Sequence, residues 1–399
     1  MKAIVHSLLT QISQNNPEIS FEIQYWDGEK HRFGEGDPQT ILRFNSEQAI
    51  KRIFSGGYLG FGEAYMDGDV DIEGDLQQLL RFGFDPAFEN LKISLPTKLR
   101  IAWNFLVTQD TLRRTAKNIQ HHYDLGNDFY KLWLDDSMTY SCAYFRHETD
   151  SLEQAQEQKY EHICRKLQLK EGDTLVDVGC GWGGMMFYAV RHYGVKATGC
   201  TLSKQQYAYI QNKIKEENLQ DKITVLLDDY RNLTGRYDKF VSIGMFEHVG
   251  KKYIPTFFDR VKKLLKPKGI GLLHTIGKDG FSYPDPWTTK YIFPGGYIPI
   301  IDEILRHMGK RKLHFVDVEN LRLHYSLTLD EWARRYEHHV EEVRRMFDER
   351  FVRMWRLFLN GSSVGFRYGN TRLFQITFTN GLNNAYPLTR EFLYKEPLS

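Results

Sequence analysis

The chain has 399 residues, 41% of them apolar and 26% charged, and a formal net charge of +2. A chain of this size holds roughly two or three domains with the composition of an ordinary globular protein, and so small a charge gives no bulk electrostatic argument for nucleic acid. No apolar run approaches the ~20 residues of a membrane span, and the four cysteines, Cys142, Cys164, Cys180 and Cys200, have no C-x-x-C spacing and predict no disulfide framework.

The first residues, MKAIVHSLLTQISQNN, predict a short amphipathic helix without a small-residue cleavage site, and hence a cytoplasmic protein that touches membranes from outside if at all. From Phe21 to Phe33 an alternating segment carries Asp27-Gly28 at its middle, a hairpin signal. Asn45 is predicted to cap a helix, SEQAIKRIF, that stops at Gly56-Gly57. Tyr58, Phe61 and Tyr65 then interleave with Gly60 and Gly62, and a second turn at Asp67-Gly68 leads to a short helix ending at Phe82. Residues 1–107 therefore read as a small α+β domain, with structural, dimerising and binding roles all open.

The stretch Pro96 to Leu106 places Leu99, Ala102, Phe105 and Leu106 on one helical side beside Lys98 and Arg100, and the polar, basic residues 108–118 read as a linker. Such a basic amphipathic stretch fits either a solvated face or contact with anionic lipid. After it, strand and helix signals alternate as a parallel α/β sheet requires. The predicted strands are TLVDV, VKATGCTLS, ITVLLDD, KFVSIGMF and GIGLLHTI, with LHFVDVENLRLHY and TRLFQITFTNG late in the chain. An aromatic and proline-rich insertion at about 280–318 and a strongly helical stretch from Leu329 to Leu359 read as lids over an apolar pocket.

The centre of this region is TLVDVGCGWGG, Thr174 to Gly184. Leu175, Val176 and Val178 form a buried strand, while Gly179, Gly181, Gly183 and Gly184 let the turn press its backbone against a ligand at a helix N-terminus. Asp177 stands where a carboxylate meets an ammonium group, and no lysine follows to hold phosphate. The pattern resembles the S-adenosylmethionine (SAM) loop of Rossmann-like methyltransferases. In that arrangement strands one, four and five lie side by side, so Phe246-Glu247-His248 and His274-Thr275-Ile276 share a rim with the loop. Metal is the rival explanation for Glu247, His248 and His274, and their spacing speaks against it: there is no H-E-x-x-H, and adjacent side chains on an extended backbone diverge.

The segments HHYDLGNDFYKLWLDDSMTYSCAYF, LVDVGCGWGG, TLSKQQ, SIGMFEHVG, LLHTIG, YIFPGG and LHYSLTLDEW occur in the order found in cyclopropane-fatty-acid-phospholipid synthases, relatives of the mycolic acid cyclopropane synthases. The chain resembles that family along nearly its whole length, and YLGFGEAYMDGD extends the likeness to the amino-terminal part. The resemblance implies a Rossmann-like class I SAM-dependent methyltransferase domain over 119–399, preceded by the smaller α+β domain acting on lipid or membrane. It further implies a homodimer working peripherally on the inner face of the cell membrane, against an unsaturated phospholipid bilayer.

By position, the resemblance implies that Tyr123, Tyr140 and Ser141 surround SAM together with the loop residues Asp177, Gly179, Cys180, Gly181, Trp182 and Gly183. Thr201, Leu202, Ser203 and Gln206 complete the cofactor site with Asp229, Tyr230 and Arg231, and Gln206 replaces the acidic residue that often meets the ribose. Cys142, Glu247, His274, Ile276 and Tyr325 match the positions that hold a bicarbonate ion, some through backbone atoms. The implied activity adds a methylene bridge across a cis double bond of a phospholipid acyl chain, with bicarbonate as base. Tyr144, Phe145, Phe246, Trp287, Tyr291, Phe293 and Tyr297 offer ring faces to a developing carbocation. A methyltransferase giving branched or exomethylene chains, and a lipid-binding scaffold with an inactive SAM domain, are the competing readings.

Overall fold

A computed structural model describes residues 1–85, 125–280, 282 and 284–394. The amphipathic stretch at 96–106, the linker at 108–118 and Tyr123 lie outside the described residues. Contacts divide the chain into two compact units. The first is Met1–Gln109 with Tyr283–Pro294 and Leu329–Gly369; the second is Asp110–Ser282 with Gly295–Thr328 and Asn370–Ser399. Residues 283–294 of the expected lid thus group with the amino-terminal part and 295–318 with the methyltransferase-like part.

In the first unit the helix Lys2–Asn15 turns Val5, Leu9 and Ile12 onto a four-stranded sheet, a spacing of four and three that keeps them on one helical face. The strands are β1 (Phe21–Gln24), β2 (Lys30–Phe33), β3 (Thr40–Phe44) and β4 (Val70–Gly74), in the order β2-β1-β3-β4. The Asp27-Gly28 hairpin forms as read: β1 and β2 pair antiparallel with Phe21 opposite Phe33, and Gly28 takes a φ of 88°. The next helix differs in its cap. Ser46, not Asn45, caps it by accepting from Ala49 N–H at 3.2 Å, while Asn45 donates to Gly68 O and Asp71. The helix does stop at the glycine pair: within Glu47–Met66, Gly57 at a φ of 56° is non-helical and separates it from a second helix that runs to Met66.

Gly62 on this helix explains why the aromatic insertion belongs to the first unit. Trp287, on the short helix Pro286–Tyr291, is 1% exposed, and a Cβ on Gly62 would lie 2.4 Å from its ring. The Trp287 indole N–H reaches Met66 Sδ at 3.2 Å, while Lys290 and Tyr291 both reach Glu63. Trp287, Tyr291 and Phe293, the last with its ring 5.6 Å from that of Phe358, are thus packing residues of this unit.

The second unit is a seven-stranded sheet in the order β10-β11-β9-β8-β5-β6-β7. Its strands are β5 (Thr174–Val178), β6 (Lys196–Thr201), β7 (Ile223–Leu227), β8 (Tyr237–Ile243), β9 (Leu265–Lys278), β10 (Leu313–Asn320) and β11 (Thr371–Asn380). The first five are parallel, with β5, β8 and β9 adjacent as expected, and β11 inserts antiparallel between β9 and β10. This is the Rossmann-like α/β fold. Successive residues of β5 serve opposite faces: Leu175 joins the core under the helices Leu152–Lys166 and Gly184–Tyr193, and Val176 and Val178 join the one with Phe240, Phe257 and Phe258. The chain leaves β5 toward β6 on one side and returns to β8 on the other, so the carboxyl end of β5 is the switch point where such sheets open a crevice.

Two late elements depart from the sequence reading. The strand expected over LHFVDVENLRLHY ends at Asn320, whose side chain accepts from Arg322 N–H at 3.0 Å and starts the helix Arg322–His338. The stretch Leu329 to Leu359 is divided among that helix, Val340–Met346 and Glu349–Tyr368.

Overpacking against Trp287 should make Gly62→Ala lose about 1–3 kcal/mol of stability. Gly365→Ala, in a helix with nothing within 4 Å of the new methyl group, should be neutral or gain up to about 1 kcal/mol. Denaturant unfolding of both variants checks this contrast, and equal midpoints would remove the Trp287 contact as the reason for glycine at 62.

Candidate active site

Beyond the carboxyl end of β5 the glycine turn closes tightly. Gly179 N–H and Cys180 N–H both donate to Cys200 O, at 3.1 and 3.0 Å, and Gly183 N–H returns to Cys180 O at 2.8 Å. Two glycines here are required for different reasons. A Cβ on Gly179 would stand 2.4 Å from Met245 Cγ, so packing forbids it; one on Gly181, at a φ of 54°, would meet nothing within 4 Å. At Gly181 the protein leaves room above a left-handed backbone.

That room is a cleft of about 1120 Å³. Of the expected cofactor residues, Asp177, Gly179, Cys180, Gly181 and Trp182 line it from β5 and the turn, and Tyr140 and Ser141 from the preceding loop. Thr201, Leu202 and Gln206 line it beyond β6, and Asp229, Tyr230 and Arg231 beyond β7. Thr201 Oγ1 lies 2.6 Å from Gln206 Oε1, and Asp229 and Arg231 form an ion pair. Gly183 and Ser203 do not line the cleft. Gly183 turns the chain into the helix, and Ser203 caps Lys204–Glu216 by accepting from Gln206 N–H at 3.3 Å.

Sequence reading missed the cleft's buried charges. Lys159 is fully buried, lines the cleft and donates to Ser141 Oγ at 3.0 Å. One turn earlier Gln156 donates to Ser141 O at 2.9 Å, so this helix face holds the Ser141 wall. Burial brings the Lys159 ammonium down to about 7 against the charges of Asp135, Cys142 and Asp177. Burial likewise raises the Asp177 carboxyl to about 7 against the charge of Lys159. Among the described residues Asp177 Oδ1 is buried without a hydrogen-bond partner. A lysine in the same helical row as Ala155 and Ile163 was the available signal. His248 also lines the cleft, its imidazole pushed down to about 4 by burial.

The five residues matched to bicarbonate lie in the second unit but not among the cleft's lining. His274 is opposite Ile243 in the β8–β9 register, and its carbonyl accepts from Gly244 N–H at 2.9 Å. Glu247 sits on the turn after β8, where Oε1 accepts from Ile276 N–H at 2.6 Å and Oε2 is buried with no partner among the described residues. The Ile276 N–H, expected to serve an ion, therefore already has an acceptor. His274 Nε2 is also buried and unpartnered among the described residues. The segment after Cys142 is tied to the helix Arg322–His338, which carries Tyr325. Ala143 N–H donates to Thr328 Oγ1 and Phe145 N–H to His324 Nδ1, both at 3.0 Å. The Cys142 thiol, fully buried, is pushed well above its ordinary range by burial.

The rings do not assemble as one expected face. Phe246 is 2% exposed inside the core, 4.8 Å from Phe257. Tyr144 is sandwiched between His162 at 4.3 Å and His324 at 4.7 Å.

Comparison with known proteins matches the chain to a family. The family described as mycolic acid cyclopropane synthetase matches residues 110–376, and a domain of unknown function matches residues 8–92. The chain is 39% identical over 361 residues to the cyclopropane-fatty-acyl-phospholipid synthase of Escherichia coli K12, covering 89% of this chain and 92% of that one. The chain belongs to the mycolic acid cyclopropane synthetase family. Within it, a probable fatty acid methyltransferase of Pseudomonas putida is 36% identical, covering 94% of this chain and 97% of that one. The solved cyclopropane synthase MmaA2 of Mycobacterium tuberculosis is 35% identical with a TM-score of 0.63, covering 66% of this chain and 98% of that one. The mycolic acid cyclopropane synthase CmaA1, solved with SAH and CTAB, is 33% identical with the same TM-score, covering 66% of this chain and 98% of that one.

This member of the family is thus a SAM-dependent methyltransferase, and its own cleft fits the cofactor: open space above Gly181, a buried unpartnered Asp177 oxygen suited to an ammonium group, and a buried lysine ammonium beside Ser141. Gly181→Val places a branched side chain in that space, and SAM affinity measured by calorimetry should fall by about tenfold or more, a loss of at least ~1.4 kcal/mol. Unchanged affinity in the folded variant would move the cofactor elsewhere.

Burial raises the Glu247 carboxyl to about 7 from an ordinary value of 4.5, against the hydrogen bond from Ile276 N–H. Between those two values the folded chain holds a proton that the unfolded chain has released, so this group's contribution to stability falls as pH rises through the window. Glu247→Gln removes that dependence. Its unfolding midpoint should exceed the wild type's by about 2 °C or more at pH ~8 and converge with it near pH ~5; a pH series of thermal melts in which the two curves run parallel would contradict this.

Proposed function

We propose that the protein transfers a methylene group from SAM to the cis double bond of unsaturated phospholipid acyl chains, forming cyclopropane rings, with bound bicarbonate as the general base. The observation that carries this reading is Glu247: a buried carboxylate with one oxygen on Ile276 N–H and the other unpartnered among the described residues, in a chain that matches a phospholipid cyclopropane synthase over 89% of its length. When bound, SAM supplies an electrophilic methyl group and bicarbonate a small base that leaves as carbonic acid.

Closing a ring on an alkene passes through positive charge on an alkene carbon, which the protein must shield from water. Buried Phe145 and Cys142 and the half-buried Tyr144 ring supply apolar surface beside the tied Cys142–Phe145 segment. A side-chain carboxylate in contact with that charge would be captured as an ester. On this reading Glu247 is held back by Ile276 N–H and orients the ion through its other oxygen. His274 and Tyr325 fix the ion's remaining oxygens, and the backbone near Cys142 completes the cradle.

A second reading, methylation to a branched or exomethylene chain, draws support from the Pseudomonas putida relative, whose name specifies a fatty acid methyltransferase. Because the proposed substrate lies in a bilayer, the protein would work peripherally on the inner face of the cell membrane. Among the described residues no helix is long and apolar enough to cross it. The first unit would engage the lipid, and a homodimer is proposed from the family resemblance alone.

Vesicles of unsaturated phospholipid treated with SAM carrying a trideuterated methyl group decide the product. Ring formation should leave two of the three deuteriums in the acyl chain by mass spectrometry. Retention of all three would give the branched methylation product instead, and two deuteriums on an alkene carbon, told apart from a ring by NMR, the exomethylene one.

A further inference from the structure

Polar groups on one face of the sheet, two of them buried and the outer one half-buried, form a row that crosses three strands. Glu319 on β10 lies directly opposite Gln375 on β11, and Gln375 lies directly opposite His274 on β9. Residues directly opposite one another share a face of the sheet. At the outer end of the row Glu319 accepts from Lys166 and His162, at 2.5 and 2.7 Å. Burial would raise the Glu319 carboxyl, but these partners hold it at about 2, so the end of the row is a fixed anion. In the middle, Gln375 has no solvent exposure, and its Nε2 lies 3.2 Å from His274 Nδ1.

An amide nitrogen only donates, so Nδ1 is the acceptor in this contact. Burial, with the charges of Lys159 and Lys166 adding to it, holds the His274 imidazole well below its ordinary range and therefore neutral. A neutral imidazole carries one proton, and with Nδ1 accepting, that proton belongs on Nε2. His274 Nε2 is the ring atom that is buried without a partner among the described residues. Leaving a buried N–H unmet costs about 1–3 kcal/mol, a cost that an acceptor bound there would remove.

We propose that Gln375 is a positioning residue: by donating to His274 Nδ1 it fixes the neutral imidazole with its proton on Nε2 and makes His274 a hydrogen-bond donor to an oxyanion in the catalytic cradle. The opposite tautomer would present a lone pair to that anion and repel it. The identity of the oxyanion rests on the bicarbonate reading; the tautomer does not. A glutamine at the centre of a buried sheet is thereby explained, since an apolar side chain would leave the ring free to choose its tautomer and a carboxylate would select the wrong one.

The test uses the full-length protein labelled with ¹⁵N-histidine and long-range proton–nitrogen correlation spectra, with His274 signals identified by their loss in His274→Asn. The wild type should show the proton on Nε2. In Gln375→Glu the carboxylate should draw it to Nδ1, and in Gln375→Met, which offers no donor, the two tautomers should mix. In both variants kcat should fall by about tenfold or more, as wrong-tautomer substitutions in catalytic triads do, while SAM affinity by calorimetry stays within about twofold, or ~0.4 kcal/mol. A wild-type proton on Nδ1 would overturn the proposal, as would Gln375→Glu keeping both the Nε2 proton and wild-type kcat. Turnover that is indifferent to removal of dissolved carbonate, with the tautomer as stated, would remove bicarbonate and leave the role of Gln375 standing.

Discussion

Two lysines on the inward face of one helix set the conditions for everything at the sheet's carboxyl edge. Lys159 and Lys166, two turns apart on Leu152–Lys166, have no solvent exposure. Burying an ammonium group without partners costs several kcal/mol, and the two are accommodated differently. Lys166 is paired with Glu319 at 2.5 Å and with Asp317 at 3.6 Å. Lys159 donates to a hydroxyl, Ser141 Oγ, and lies over the Tyr160 ring, while its carboxylate neighbours act on it through space. It is a charge in waiting, whose environment a zwitterionic ligand would complete. Burial, with these two cations adding to it, keeps His274 neutral, while burial raises Asp177 against the pull of Lys159.

Much of this fold is legible in local sequence. The apolar β-branched runs give the strands, and the glycine turn gives the switch point, because a backbone that must approach a ligand leaves a mark in residue type. What local pattern misses are decisions made by a single side chain. Alternation continues from LHFVDVEN into LRLHY, and only the Asn320 cap tells the chain to leave the sheet. Ser46 rather than Asn45 caps the second helix because Asn45 is drawn away to Gly68 O and Asp71. Trp287 looks like a pocket wall in an aromatic segment until the bare face of Gly62, more than two hundred residues earlier, is seen to receive it.

The candidate site shows the same division. The expected cofactor residues that line the cleft sit in contiguous motifs and could be read by position, whereas Lys159, which lines it too, and Gln375 could not. One is a lysine whose helix looks solvated from its many charges; the other is a glutamine whose meaning depends on register with a strand about a hundred residues away. Register is a property of pairing, and no window of sequence along one strand contains it.

The antiparallel insertion of β11 carries a consequence for biogenesis. β11, which fills the gap between β9 and β10, follows every other strand of the described residues, so the sheet cannot close until residues 371–380 have been made. Until then β9 and β10 present unpaired edges toward each other, and the buried amide that meets His274 has yet to leave the ribosome. Long-range pairing of this kind is slow and exposes edges to aggregation. A nascent chain released before Thr371 would carry the complete glycine turn and the cofactor-facing residues, yet lack the strand that finishes the chemical end of the site.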